Sequence, residues 1–171
     1  MQQEVIFAGF GGQGVMFVGQ LLAYAAMDEG KEVTWIPSYG PEMRGGTAHC
    51  TVVISDKPIG SPVSSHYRAG VVFNTPSFKK YESMVPLVTD RTDITQLSVP
   101  ASNMADELGH LRLANVVMLG ALLAIWPVLP VEAVARALDE HIPEHHRDLL
   151  GINHRALERG VEYAASLELI Q

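Results

Sequence analysis

The chain has 171 residues, of which 47% are hydrophobic and 18% charged, and 12 Lys and Arg stand against 19 Asp and Glu for a formal charge of −7. This is the composition of one globular domain with a buried core; it excludes disordered, collagenous and disulfide-stapled chains. The acidic balance argues against a nucleic acid or an anionic membrane surface as partner, because both are held by clustered Lys and Arg.

Glu4 to Gly9 reads as a short buried strand running into Gly9, Gly11, Gly12 and Gly14. Val15, Val18, Leu22 and Ala25 then recur at helical spacing. Gly30 stands where a left-handed helix cap belongs, and Glu32 to Ile36 predicts a second strand, so the chain opens as a βαβ unit. Pro37 to Gly46 has the composition of a loop. Thr47 to Ser55 returns to strand character, with a turn at Asp56, Lys57 and Pro58 leading into a short extended piece, Ile59 to Val63; a hairpin there would make part of the sheet antiparallel. Gly70 to Asn74 reads as a buried strand, followed by a short helix capped by Ser77 and reaching about Met84. Thr95 to Val99 is a weaker strand. Helices are expected over Asn103 to Leu108, Ala114 to Ile125, Val131 to Glu140 with Pro130 at its start, and Asp148 to about Leu167. The apolar stretch Val116 to Leu129 is broken by Gly120 and ends among prolines, too short to span a bilayer. The first residues lack the basic start of a signal peptide, so the cytoplasm is the expected compartment.

The sequence Gly9-Phe10-Gly11-Gly12-Gln13-Gly14 satisfies G-x-G-x-x-G between a strand and a helix, where backbone amides can accept a pyrophosphate. A dinucleotide site also needs an acid at the end of the second strand. That strand ends in Thr34-Trp35-Ile36, with Glu32 at its beginning. Two readings of the glycines therefore stand side by side: a phosphate-bearing ligand, or close packing of helix on sheet and of another protein's backbone on the turn.

In the following loop Tyr39, Glu42, Arg44, Gly45 and Gly46 are the candidates for contact. A guanidinium beside two glycines suits a carboxylate or phosphate, while an ion pair to Glu42 would merely stiffen the loop. Pro37 and Pro41 make the loop a shaped surface, and Tyr39 can stack on a ligand or anchor an interface. His49 and Cys50 are neighbours in a strand and must point to opposite faces, Cys50 into the core and His49 as a partly buried, hydrogen-bonded side chain. His141, His145, His146 and His154 crowd near Glu144 and Asp148, but Pro143 breaks the helical spacing a zinc pair requires, and no metal site is expected. Cys50 is the single cysteine, which precludes an internal disulfide and the four thiolates of an iron–sulfur cluster. No catalytic residue is assigned, since nucleophile-elbow, zincin and P-loop motifs are absent.

The stretch GFGGQGVMFVGQLLAYAAMDEGKEVTWIPSYGPEMRGGTAHCTVVISDKPIGSPV resembles the gamma subunit of the 2-oxoacid:ferredoxin oxidoreductases, closely from Val5 to about Val63. The likeness resumes at Val99-Pro100-Ala101 and over Leu113 to Ala121. The resemblance implies one subunit of an enzyme that oxidatively decarboxylates a 2-oxoacid with coenzyme A, giving acyl-CoA, carbon dioxide and electrons for ferredoxin. It further implies alpha, beta and possibly delta partner subunits that carry thiamine diphosphate, magnesium and the iron–sulfur clusters, with no cofactor bound by this chain alone. The glycine turn and the loop from Tyr39 to Gly46 would then face the alpha component, with Arg44 the candidate to touch coenzyme A or substrate. The chain departs from the family pattern at Val88-Thr89-Asp90-Arg91-Thr92, where a Gly-Gly turn, an apolar strand and an Asn are expected.

The fold expected is a three-layer α/β/α single domain over residues 1–171, with a mixed, mostly parallel sheet and a Gly-rich first βα turn. The rival function is a stand-alone nucleotide- or CoA-binding regulatory module; an NAD-dependent oxidoreductase suffers from the missing acid. In isolation, a chain with mean hydropathy of +0.13 that is built to meet large partners is expected to form a homodimer.

Overall fold

The computed structural model describes residues 2–38, 46–64, 66–81, 84 and 97–167. The chain divides into two compact units, residues 1–96 with 171, and residues 97–170.

In the first unit, β1 (Gln2–Phe10) carries the run Val5, Ile6, Phe7 and Ala8, every one fully buried. A strand that buries both faces needs a layer on each, and the sheet supplies them. Among the described residues four strands lie in the order β2-β3-β1-β4, with β2 at Glu32–Ser38, β3 at Thr47–Ser55 and β4 at Ala69–Val72. Helix α1 (Val15–Asp28) covers the face bearing Phe7, Trp35 and Cys50: a Cβ on Gly19 would overlap the Cys50 sulfur and lie 3.5 Å from Phe7 Cδ2 and 3.3 Å from Trp35 Nε1. On the opposite face Ile6, Ala8, Tyr67 and Tyr81 form one cluster, with Met84 packed against it. Tyr81 ends helix α2 (Thr75–Tyr81), so α1, sheet and α2 make three layers.

The sheet is mixed, but the expectation that it is mostly parallel is corrected. Among the described residues only β1 and β4 are parallel; β1–β3 and β2–β3 are antiparallel. The connection from β2 to β3 is too short for a crossover helix, so β3 must return antiparallel, and it enters between β1 and β2. That insertion also removes the expected hairpin from Thr47–Ser55 into residues 59–63. Both edges of β3 are already paired, and residues 59–63 are irregular, tied locally by the Ser61 hydroxyl to the backbone of Val63.

Strand β2 runs through Pro37 to Ser38, two residues beyond expectation, because an edge strand tolerates a residue without an N–H. Gly30 does adopt a positive φ of 72° after α1. Helix α2 begins at Thr75 and is capped by Asn74, whose Oδ1 accepts the Ser77 N–H at 2.8 Å. The cap is therefore three residues earlier than expected, Pro76 falls in the first turn where its missing donor is harmless, and Ser77 itself is fully buried.

The second unit is helical. It comprises α3 (Ala101–Glu107), α4 (Ala114–Ile125), α5 (Val131–His141) and α6 (Leu150–Ser166), with short 3-10 turns at Leu111–Leu113 and Glu144–Leu149. Of the weak strand expected at Thr95 to Val99, residues 97–99 are not strand and the others lie outside the described residues, as does the whole Val88 to Thr92 departure. Helices α4 and α6 meet backbone to backbone: a Cβ on Gly120 would overlap the Leu157 carbonyl oxygen, and one on Gly160 the Val117 carbonyl oxygen. Among the described residues no helix is long and apolar enough to cross a membrane.

Candidate functional site

Strands β1 and β4 are adjacent and parallel, and the helices that follow them go to opposite faces of the sheet. Such a reversal leaves a crevice outside the carboxyl ends of the two strands, the place where α/β sheets bind ligands. The glycine turn forms one wall of this crevice and the Phe73-Asn74 turn the other. An open hollow of about 270 Å³ lies beside it, lined by Val72, Phe73, Asn74, Thr75 and Phe78.

The crevice itself is bridged by side chains. Gln13 Oε1 accepts the Phe10 N–H at 2.7 Å and the Asn74 side-chain amide at 2.7 Å, and Gln13 Nε2 donates to the Phe73 carbonyl at 3.5 Å. This accounts for the motif residue by residue. Gly9 is glycine because a Cβ there would sit 2.8 Å from Gln13 Oε1 and 2.8 Å from Val15 Cγ2. Gly12 and Gly14 hold φ of 98° and 75°, a backbone that side-chain-bearing residues rarely adopt. Gly11 donates its N–H to the Gly46 carbonyl at 3.3 Å. With β2 ending at Ser38, Glu32 exposed at its start and the crevice occupied by Gln13, the turn does not fit a dinucleotide.

Of the sequence-derived candidates the structure thus brings together Gly9, Gly11, Gly12, Gln13, Gly14 and Gly46. Tyr39, Glu42, Arg44 and Gly45 lie outside the described residues. The loop that carries them leaves from Ser38 and returns at Gly46, against the glycine turn, so its second foot is planted beside the crevice.

His49 and Cys50 point to opposite faces as strand alternation requires. The His49 ring, partly buried, stacks at a tilt on Tyr81 with centroids 4.8 Å apart, and its Nδ1 shares a 2.8 Å hydrogen bond with the Tyr81 hydroxyl. Burial, and then the Lys80 ammonium, hold its pKa below the ordinary 6.5. Lys80 lies 5.2 Å from the centre of the Tyr81 ring and donates to Thr47 Oγ1 at 2.7 Å. Cys50 is fully buried and donates to the Val15 carbonyl at 3.5 Å; burial pushes its thiol up to about 12, with Trp35 offsetting part of the rise. One cysteine, turned into the core, cannot supply the four thiolates of an iron–sulfur cluster. In the second unit His145 and His146 stack on each other at 4.2 Å while His154 pairs with Asp139 at 2.8 Å.

Sequence reasoning missed Asn74 as a member of the site. The run Asn-Thr-Pro-Ser announces a helix cap, but nothing local announces a partner 61 residues earlier in the chain.

The sequence pattern of the pyruvate ferredoxin/flavodoxin oxidoreductase family matches residues 4–163. The chain is 37% identical over 172 residues to the ketoisovalerate oxidoreductase subunit VorA of Methanothermobacter thermautotrophicus, an alignment covering 94% of this chain and 36% of that protein. It therefore spans little more than a third of that relative's length. It is 34% identical over 185 residues to the 2-oxoglutarate synthase subunit KorC of Methanocaldococcus jannaschii, covering 98% of this chain and 96% of that one. Among solved structures, the gamma subunit of the keto/oxoacid ferredoxin oxidoreductase from Geobacter sulfurreducens PCA superposes with a TM-score of 0.80 at 29% identity, covering 97% and 98% of the two chains. With the family pattern running through both compact units, the chain belongs to the pyruvate ferredoxin/flavodoxin oxidoreductase family.

Proposed function

We propose that this chain is the gamma subunit of a multi-subunit 2-oxoacid:ferredoxin oxidoreductase that converts a 2-oxoacid and coenzyme A to acyl-CoA and carbon dioxide and passes the electrons to ferredoxin. The observation that carries this reading is the end-to-end match, 98% of this chain against 96% of the other, with a separate subunit of a 2-oxoglutarate synthase. The substrate class favoured is 2-oxoglutarate or a branched-chain 2-oxoacid, in keeping with the relatives named for 2-oxoglutarate and ketoisovalerate.

The two units act together as one gamma domain over residues 1–171, a reading supported by the family match across residues 4–163. Partner subunits, alpha and beta among them, bring thiamine diphosphate, magnesium and the iron–sulfur clusters; a single cysteine cannot supply the four thiolates of a cluster. The glycine turn and the loop from Tyr39 to Gly46 face the alpha component and the approach to its active site, and Arg44 contacts coenzyme A or the 2-oxoacid. The complex works in the cytoplasm, and the isolated chain forms a homodimer.

The test is anaerobic affinity purification of this chain from its native host, followed by CoA-dependent dye reduction against a panel of 2-oxoacids. Co-elution of thiamine- and cluster-bearing chains with activity on one acid is the expected result. A lone, inactive chain would overturn the reading, and saturable micromolar binding of a free nucleotide by that lone chain would favour a binding module. Within the active complex, Arg44→Ala raises the KM for CoA or 2-oxoacid; unchanged constants in an intact complex would remove Arg44 from the site. Light scattering that finds only a monomer would remove the homodimer.

A further inference from the structure

We infer that Gln13 and Asn74 form a positioning clasp, a side-chain bridge that takes the place of a ligand in the crevice between β1 and β4 and holds the glycine turn in the shape it presents outward. The inference rests on the reading above only for what that turn faces.

Three observations converge on it. The bridge joins two turns that belong to different parts of the chain and lead into helices on opposite faces, so it is a direct polar link across the reversal point of the sheet, beside the longer bond from Gln13 Nε2 to the Phe73 carbonyl. Both amides are used in full view of their geometry. Gln13 Oε1 takes two donors, from Phe10 and Asn74, while Asn74 Oδ1 takes the Ser77 N–H that starts α2. Each amide orientation is therefore dictated, because flipping either one would set like against like. The sequence also makes room for the bridge: the first glycine of the motif leaves the space that Gln13 Oε1 fills, since a Cβ at Gly9 would approach it to 2.8 Å and Phe73 Cβ to 3.1 Å.

In a dinucleotide-binding turn the glycines let a pyrophosphate come close to the backbone. Here the chain's own amide comes close instead. Gln13 thus acts through the backbone of Phe10 to Gly14 without touching a ligand, and the turn reaches its partner already shaped.

Gln13→Ala removes the bridge but risks general loosening. Asn74→Asp is the sharper variant, since a carboxylate still accepts the Ser77 N–H and keeps α2 capped but cannot donate to Gln13. Gln13 can then face it with Nε2 only by surrendering the Phe10 N–H. The primary measurement is hydrogen exchange on the full chain. Asn74→Asp is expected to speed exchange of the amides of residues 10 to 15 about tenfold while those of α1 from Val18 to Ala26 keep their protection. Exchange at the turn equal to that of the unsubstituted chain would overturn the clasp, whatever the kinetics.

The second measurement uses the assembled complex. Asn74→Asp is expected to raise the KM for CoA about fivefold with kcat held within about twofold, and to add nothing further in a Gln13→Ala background. A loosened turn with an unchanged KM, in a complex where Arg44→Ala does raise it, would reduce the bridge to mere reinforcement and overturn its positioning role. A loosened turn with neither variant altering any Michaelis constant would overturn that role by a different signature, by showing that this face does not approach the active site.

Discussion

Replacing Gly120 by Ala sets two physical effects against each other with opposite signs. Glycine in a helix interior costs about 1 kcal/mol relative to alanine, so on propensity alone Gly120→Ala stabilises α4. The structure predicts the reverse. The new Cβ would overlap the Leu157 carbonyl oxygen and stand 3.0 Å from Leu157 C and 3.2 Å from Val161 N. These are backbone atoms of a 17-residue helix, not the tip of a side chain that could rotate away. Relief requires α6 to move off α4 as a body, opening the contacts of Val116, Leu119, Leu123 and Leu157, all essentially inaccessible to solvent. Overpacking of this kind costs about 3 kcal/mol, so the net loss is about 2 kcal/mol. For a chain of this size that corresponds to a fall in Tm of about 4–8 °C.

Gly151 supplies the control. It lies in the first turn of α6 with nothing within 4 Å of its would-be Cβ, so Gly151→Ala is expected to raise stability by up to about 1 kcal/mol. Thermal and urea unfolding of the full-length variants, followed by circular dichroism, reads both signs in one experiment. If Gly120→Ala were as stable as the unsubstituted chain, or gained what Gly151→Ala gains, the argument from backbone contact would be refuted.

The same logic at Gly19 has a rescue built in. Gly19→Ala would drive a methyl into the Cys50 sulfur and is expected to cost about 2 kcal/mol; in a Cys50→Ala background, where the sulfur is gone, most of that cost should disappear in a double-mutant cycle. Purely additive losses would sink the assignment of α1 to that face. Because the Cys50 thiol is buried and pushed up to about 12, the native chain should leave a thiol reagent unreacted at pH 8 and release one full equivalent only when unfolded. Rapid labelling of the native chain would contradict the core placement. His49, held below its ordinary 6.5 by burial and by Lys80, takes up its proton at a lower pH in the fold than in the unfolded chain, which takes one up near 6.5. Its contribution to stability is therefore complete above pH 6.5 and lost as pH falls below it. His49→Gln should flatten that part of the Tm profile, and Lys80→Ala should raise the His49 titration point seen by NMR; a His49 pKa at or above 6.5 would refute the assignment.

Local chemistry in the sequence determined much of this protein. Alternation in Thr47–Ser55 set Cys50 and His49 on opposite faces, Gly30 marked a positive φ after α1, Pro130 marked the start of α5, and the run from Ala114 to Ile125 gave a helix with those bounds. All of these depend on residues within a few positions of one another. What the tertiary structure decided was pairing at a distance. Strand order is a competition among edges, and the entry of β3 between β1 and β2 cancelled both the mostly parallel sheet and the hairpin to residues 59–63, although the strand itself was legible. The glycine motif was visible at once, yet its purpose was not, because the atom that needs the space at Gly9 belongs to Gln13 and the group that fixes Gln13 belongs to Asn74, 61 residues on. Gly120 read only as an interruption until Leu157 of α6 was found against it. Backbone geometry is written in the residue that adopts it, whereas the need for a missing side chain is written in whatever part of the chain comes to lie there.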